Sequence, residues 1–139
     1  LDKALVMNEA SLLRANEHEA IKEVAPTGLR GLLAIPGWID DPDCLAAARD
    51  PLLRLCAHYL IEEKSSSGST LDPVAHFHLF NGARIENLNW KADLSKRGID
   101  QSAGIMVNFL YELDRIDANH EAYFGSGEVR TSSAVGGLL

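Results

Sequence analysis

The stretch Asp72-Pro73-Val74-Ala75-His76-Phe77-His78-Leu79-Phe80-Asn81-Gly82 decides how the rest of the chain is read. It admits two conformations. In a hairpin, Asn81-Gly82 is a two-residue turn and residues 76–80 are extended; in a helix, Asp72-Pro73 is the start and Gly82 takes the left-handed position beyond the end. Aspartate accepts a hydrogen bond from the free amides of a first turn, and a proline after it loses nothing, because its missing N–H would be unpaired there anyway. The span also suits about two and a half helical turns, so the helix is favoured. The two histidines feel the consequence. On a strand both rings point to one side and invite a metal; on a helix they lie roughly 200° apart and cannot share one.

Working outward, Asp41-Pro42 and Asp50-Pro51 repeat the same start signal. A short helix is expected from Pro42 to Arg49, followed by the main helix from Pro51 to Lys64, where Leu52, Leu53, Leu55, Cys56, Tyr59 and Leu60 form one face and Arg54, His58 and Glu62 the other. Residues 2–24, with Leu5, Leu12, Leu13, Ala20 and Ile21 apolar, predict a helix or a pair of helices, broken from Pro26 to Gly31 before another short helix from Leu29. SSSGST at 65–70 reads as a flexible surface loop. Beyond Gly82, strands are expected near 84–91 and 104–112, separated by a long loop, DLSKRGIDQSA, at 93–103. The second strand carries Ile105, Val107, Phe109, Tyr111 and Leu113 on one face with Met106 and Leu110 on the other, which predicts a strand buried on both sides. Asp114 is a candidate cap for a final helix through Tyr123. The fold class is α+β.

With 139 residues the chain has the length of one domain. Thirteen Lys and Arg against 20 Asp and Glu give a net charge of −7, with no basic cluster to bind nucleic acid or an anionic membrane surface. The longest apolar run is five residues, Cys44 to Ala48, far short of the ~18 that a membrane span requires. Cys44 and Cys56 read as reduced structural residues. The opening Leu1-Asp2-Lys3 has neither an initiator methionine nor a signal-peptide plan, so the chain is expected to be a piece of a longer one.

No phosphate loop, GxGxxG or GxSxG nucleophile elbow occurs. Solvated surface positions account for His18, His58 and His120, and the carboxylates show no evident partners. Tyr111 stands apart, because a hydroxyl on an apolar strand face must find a partner or reach water; the simplest account is a core tyrosine tipped toward solvent.

These residues also carry a resemblance. DPVAHFHLFNGARIENLNWKADLSKRGIDQSAGIMVNFLYELDRIDANHEAY, at 72–123, resembles the C-terminal catalytic region of malonyl-CoA decarboxylases, as do PGWIDDPD at 36–43 and PLLRLCAHYLIEEK at 51–64. FHLFNGA, LNWKAD and QSAGIMVNFLY are its most specific segments. The resemblance implies the later part of an acetyltransferase-like (GNAT) fold, with an N-terminal helical domain and the first part of the catalytic domain lying outside residues 1–139. It implies decarboxylation of malonyl-CoA to acetyl-CoA and CO2, in fatty-acid and malonyl-CoA metabolism, with His78 and Tyr111 as catalytic residues. The family's catalytic serine, in an SPIPGF-like motif, is expected upstream of this chain; Pro36-Gly37-Trp38 has no serine before it.

The chemistry suits those residue types. Loss of CO2 from a malonyl thioester leaves an enolate, which needs donors at the oxyanion and an acid for the carbon. The thioester already delocalises the charge, so neither metal nor organic cofactor is required. Malonyl-CoA is the expected partner, a homo-oligomeric parent the expected assembly, and the cytoplasm the expected location. Two further functions compete: an N-acetyltransferase-type CoA-binding domain, and a non-catalytic assembly module.

Overall fold

The Asp-Pro signals can be checked one by one in the computed structural model, which describes residues 12–139; Leu5 and the helix expected over residues 2–11 lie outside the described residues. The element order is α1 (Ala15–Val24), α2 (Leu29–Leu33), a 3₁₀ turn (Trp38–Asp40), α3 (Pro42–Ile61), α4 (Pro73–Phe80), β1 (Arg84–Asn89), α5 (Lys96–Ser102), β2 (Met106–Leu110), α6 (Ile116–Ser126) and α7 (Ser133–Gly136). The class is α+β: helices and a small sheet in which β1 pairs with β2. By its contacts the chain divides into two compact units, Leu1–Cys56 with Trp90–Met106, and Ala57–Asn89 with Val107–Leu139.

Two of the three Asp-Pro pairs start helices. Asp41 Oδ1 accepts from the amide of Asp43 at 2.9 Å and from that of Cys44 at 3.3 Å. Asp72 Oδ1 accepts from Ala75 at 2.9 Å and opens α4 as expected. Asp50-Pro51 does not start a helix, because α3 runs through it unbroken for 20 residues. An interior proline costs about 3 kcal/mol through the lost amide and the ring clash. Burying a leucine contributes roughly 1.5–3 kcal/mol, and Leu52, Leu53, Leu55 and Leu60 are all buried by keeping one helical phase. The apolar face outweighs the proline.

The first unit holds α1, α2, most of α3, and α5. Ile21, Leu29 and Leu32 are fully buried in it. Its polar tie is an ion pair between Arg54 and Glu17, a carboxylate for which the sequence shows no evident partner. Arg54 donates to both carboxylate oxygens of Glu17, at 2.6 and 3.2 Å, and to the Leu12 carbonyl at 3.3 Å. The two side chains are only 13% and 11% exposed. Burial pushes the Glu17 carboxyl up, but hydrogen bonds from Arg54 and the Arg14 amide, with the charges of both arginines, hold it below its usual range.

The expected loop at 93–103 contains a helix. Asp93 Oδ1 accepts from the Ser95 amide and hydroxyl, and Ser95 Oγ in turn accepts from the Gly98 amide at 3.0 Å, capping α5. Gly98 obscured the helix in the sequence, since glycine is a poor helix former. Here a Cβ at that position would collide with the Asp93 carboxylate.

In the second unit, Leu79, Ile85 and Val135 are fully buried. β1 pairs with β2, and Arg84–Glu112 and Asn89–Asn108 side-chain contacts lie at opposite ends of the ladder, so the strands are antiparallel. On its other edge Ile85 bridges Thr131 in parallel, and Ser132 Oγ donates to the Glu86 carbonyl at 2.7 Å. β2 is not buried on both faces as expected. Met106 is 49% exposed, and Leu113, past the strand end, is 93% exposed. Among the described residues the sheet has two strands, so β2 has a neighbour on one edge only. The loop at 65–70 closes on itself: the Ser65 amide donates to the Ser69 carbonyl, Lys64 bridges Thr70, and Thr70 is buried. The helix expected through Tyr123 is α6, which starts at Ile116 with Arg115 as its cap residue and runs to Ser126, so Asp114 is not the cap.

Two outcomes follow from this packing. Gly82 has φ +92°, and a Cβ there would stand 2.5 Å from the Ile116 carbonyl oxygen. Gly82→Ala is expected to cost about 1–3 kcal/mol in denaturant titrations, from left-handed strain plus the overlap. Glu17→Gln is expected to cost about 1.5–3 kcal/mol at pH 7, the worth of hydrogen bonds to a charged group. The folded-state shift of Glu17 is downward, so the pair's contribution is complete above the unfolded carboxylate pKa of about 4.3 and is lost as pH falls through the lower folded value. The gap between wild type and Glu17→Gln melts should therefore close in acid.

Candidate functional site

α4 presents its two histidines to different partners because consecutive helical positions turn by about 100°. His78 reaches the C-terminal end of β2, where its Nδ1 shares a hydrogen bond of 2.7 Å with Oη of Tyr111, the residue just past the strand. The two candidate residues, 33 positions apart in sequence, are thus brought together. The His78 ring also stacks on Phe109, centroids 4.3 Å apart and planes 19° apart, with Phe77 edge-on at 5.2 Å. Phe109 on β2 and Tyr111 just beyond its end meet the same imidazole, which has one ring beneath it and one hydroxyl at its edge. Tyr111 is 42% exposed, which agrees with a tyrosine tipped toward solvent and adds a histidine partner.

His76 turns the other way. Its Nδ1 lies 2.7 Å from Tyr123 Oη on α6, and the buried Thr70 amide donates to the same oxygen at 3.0 Å. With that donor in place, the phenol hydrogen is available to His76 Nδ1. His76 and Tyr123 join Phe80, Phe124, Ser67 to Ser69 and Gly125 to Gly127 around a cavity of about 470 Å³. His76 lines it, and His78 and Tyr111 do not. The helical geometry separates the histidines as expected.

The C-terminal end of α4 is held from α6. Asn119 Nδ2 donates to the Gly82 carbonyl at 3.1 Å, and His120 Nδ1 donates to the Phe80 carbonyl. His120 also stacks with Phe124 and meets Phe80 edge-on. His58 bonds Glu63 at 3.1 Å. Neither is simply a solvated side chain. Lys64, whose burial pulls its ammonium below the usual range against the charge of Glu62, donates to the Gly127 carbonyl at 2.8 Å and closes the C-terminal end of α6. Among the described residues no group of three His, Cys, Asp or Glu side chains could hold a metal, and no helix is long and apolar enough to cross a membrane. Cys44 and Cys56 are unbridged, and burial raises the Cys44 thiol, with Asp41 and Asp43 adding to the effect.

Tyr123, Phe109 and the Glu17–Arg54 pair escaped the sequence analysis as functional or structural partners. Forty-seven residues separate Tyr123 from His76, and no local period links them. Phe109 could be placed on the Tyr111 face by alternation alone, but nothing in that pattern shows that an imidazole covers it.

In this α+β domain a short helix and the segment that follows a strand hold an imidazole against a phenol, a pair of groups able to pass a proton between them. The chain belongs to the malonyl-CoA decarboxylase family: the family model for the malonyl-CoA decarboxylase C-terminal domain matches residues 1–139. The mitochondrial malonyl-CoA decarboxylase of Anser anser anser is 39% identical over 137 residues, covering 96% of this chain and 27% of that protein. The Rattus norvegicus protein is 41% identical over 111 residues, covering 80% and 22%. The crystal structure of malonyl-CoA decarboxylase from Rhodopseudomonas palustris superposes with a TM-score of 0.81 at 39% identity over 99% of this chain and 29% of that one. The Agrobacterium vitis enzyme gives 0.79 at 36% identity, over 99% and 32%. This chain therefore spans about a quarter of the curated relatives' length.

Tyr123→Phe tests the His76 side. Removing the hydroxyl leaves the buried Thr70 amide unpaired, and the expected cost is about 1–3 kcal/mol in denaturant midpoint measurements.

Proposed function

We propose that this chain is the C-terminal part of a malonyl-CoA decarboxylase catalytic domain of GNAT-like fold, and that its parent converts malonyl-CoA to acetyl-CoA and CO2. The observation that carries the reading is the 2.7 Å hydrogen bond between His78 and Tyr111 in a chain of this family. Cleavage of the C–C bond to the carboxylate releases CO2 and leaves its electron pair in the thioester enolate. One proton on the carbon then completes acetyl-CoA.

In this mechanism protonated His78 donates from Nδ1 to Tyr111 Oη, and the proton on Nε2, the nitrogen turned away from Tyr111, is delivered to the carbon, leaving a neutral imidazole that takes up a proton from water before the next turnover. Tyr111 thus orients the acid and supports the charge that His78 exchanges. The thioester delocalises the enolate, so the scheme uses no metal or organic cofactor. A homo-oligomeric parent, a place in fatty-acid metabolism and a cytoplasmic location complete the proposal; the goose and rat relatives are named as mitochondrial.

The test is acetyl-CoA formation from malonyl-CoA by the full-length protein, without added amine. His78→Ala should reduce turnover about 10²–10⁴-fold with little change in malonyl-CoA affinity, because proton transfer acts in the transition state. Tyr111→Phe should lose less. His76→Ala should lower stability and leave turnover largely intact. Equal losses for His76 and His78, or none for His78, would overturn the assignment.

A further inference from the structure

We infer that Phe109 is a positioning residue for His78: its ring fixes the plane of the imidazole, and so the direction in which Nε2 presents its proton. The inference rests on the proposed role of His78 and extends it to a residue with no reactive group.

The argument begins with torsions. The second side-chain torsion of histidine is broad and roughly two-fold, so the residue has no strong intrinsic preference for one ring plane. Neighbours must supply it. The hydrogen bond from Nδ1 to Tyr111 Oη fixes one atom of the ring, at 2.7 Å, and leaves a pivot about that atom. Tyr111 meets the imidazole at a plane angle of 61° and a centroid distance of 5.9 Å, so it does not lie along the ring face. Phe77 is edge-on at 79°. Only Phe109, among these three rings, lies nearly parallel, with 19° between planes and 4.3 Å between centroids. Swinging about the hydrogen bond would break that face contact, and Nε2, on the far side of the ring from Tyr111, would travel furthest.

The strand makes the two constraints inseparable. Phe109 lies on β2 and Tyr111 directly follows its last residue, Leu110, so a displacement of the strand end moves the platform and the hydroxyl together. His78 follows as a unit with both. An aliphatic side chain at 109 would fill similar space but would not offer a flat face.

The experiment uses the full-length protein with Phe109→Leu and Phe109→Tyr, measuring kcat and KM for malonyl-CoA and the ring-proton NMR resonances of His78. Phe109→Leu should lower kcat on the order of 10-fold, less than the 10²-fold that a 1 Å misplacement can cost, while KM stays near wild type. Phe109→Tyr keeps the flat ring and should restore kcat. The His78 ring protons, lying over an aromatic face, should be shifted upfield in wild type and Phe109→Tyr and should lose that shift in Phe109→Leu. A merely structural role would change the melting midpoint without this pattern. If Phe109→Leu retains wild-type kcat while His78→Ala is impaired, the positioning role is overturned and the proposed function stands. Tyrosine as damaging as leucine, or His78 resonances indifferent to both substitutions, overturns it too. A parent whose decarboxylation does not depend on His78 overturns the function and, with it, this extension.

Discussion

Residues 73–80 must be helical for anything else in the second unit to be arranged as it is. A rotation of about 100° per residue separates His76 from His78, and only that separation lets one imidazole pair with Tyr123 while the other pairs with Tyr111. The helix is short, so its ends matter more than its middle. Asp72 satisfies the first turn, and Gly82 leaves the last turn through a left-handed conformation where only a residue without a Cβ clears Ile116. Asn119 and His120 then take up the Gly82 and Phe80 carbonyls. The histidine positions are therefore set by groups that do no chemistry themselves.

The same economy of contacts appears in how polar groups are buried. Tyr123 satisfies the Thr70 amide and His76 with one oxygen, tying the 65–70 turn, α4 and α6 to a single point. In the first unit Arg54 does comparable work, joining α3 to Glu17 at the start of α1 and to the chain just before it. Each of these groups would be costly to bury alone, and each is buried because its partner arrives from a distant part of the sequence.

The site lies at the C-terminal end of β2, on half-buried Phe109 and on Tyr111 just past the strand. The pattern of apolar residues on both faces was read as a strand covered from both sides, and the structure leaves Met106 and Tyr111 partly open. Sheet alternation alone states which side chains share a face; it does not state what lies over that face. For Phe109 and Tyr111 the answer is His78, and the outcome is an imidazole accessible at one edge and held at the other.

What the sequence determined by itself was local: the α+β class, the starts of α3 and α4, the left-handed exit at Gly82, the approximate strands, and the divergence of two histidines on one helix. Asp-Pro signals and periodicity act within a few residues, so they can be read without knowing the fold. They failed where a distant partner changed the balance. Asp50-Pro51 became helix interior because the burial of several leucines outweighed one proline, and Ser95 capped a helix that Gly98 had hidden. The family motifs pointed to His78 and Tyr111 together, but their 2.7 Å bond, the Phe109 platform, and the cavity on the His76 side came from packing between segments tens of residues apart. Tertiary structure decided those, because a side chain's partner depends on which surfaces meet, and no local pattern encodes that meeting.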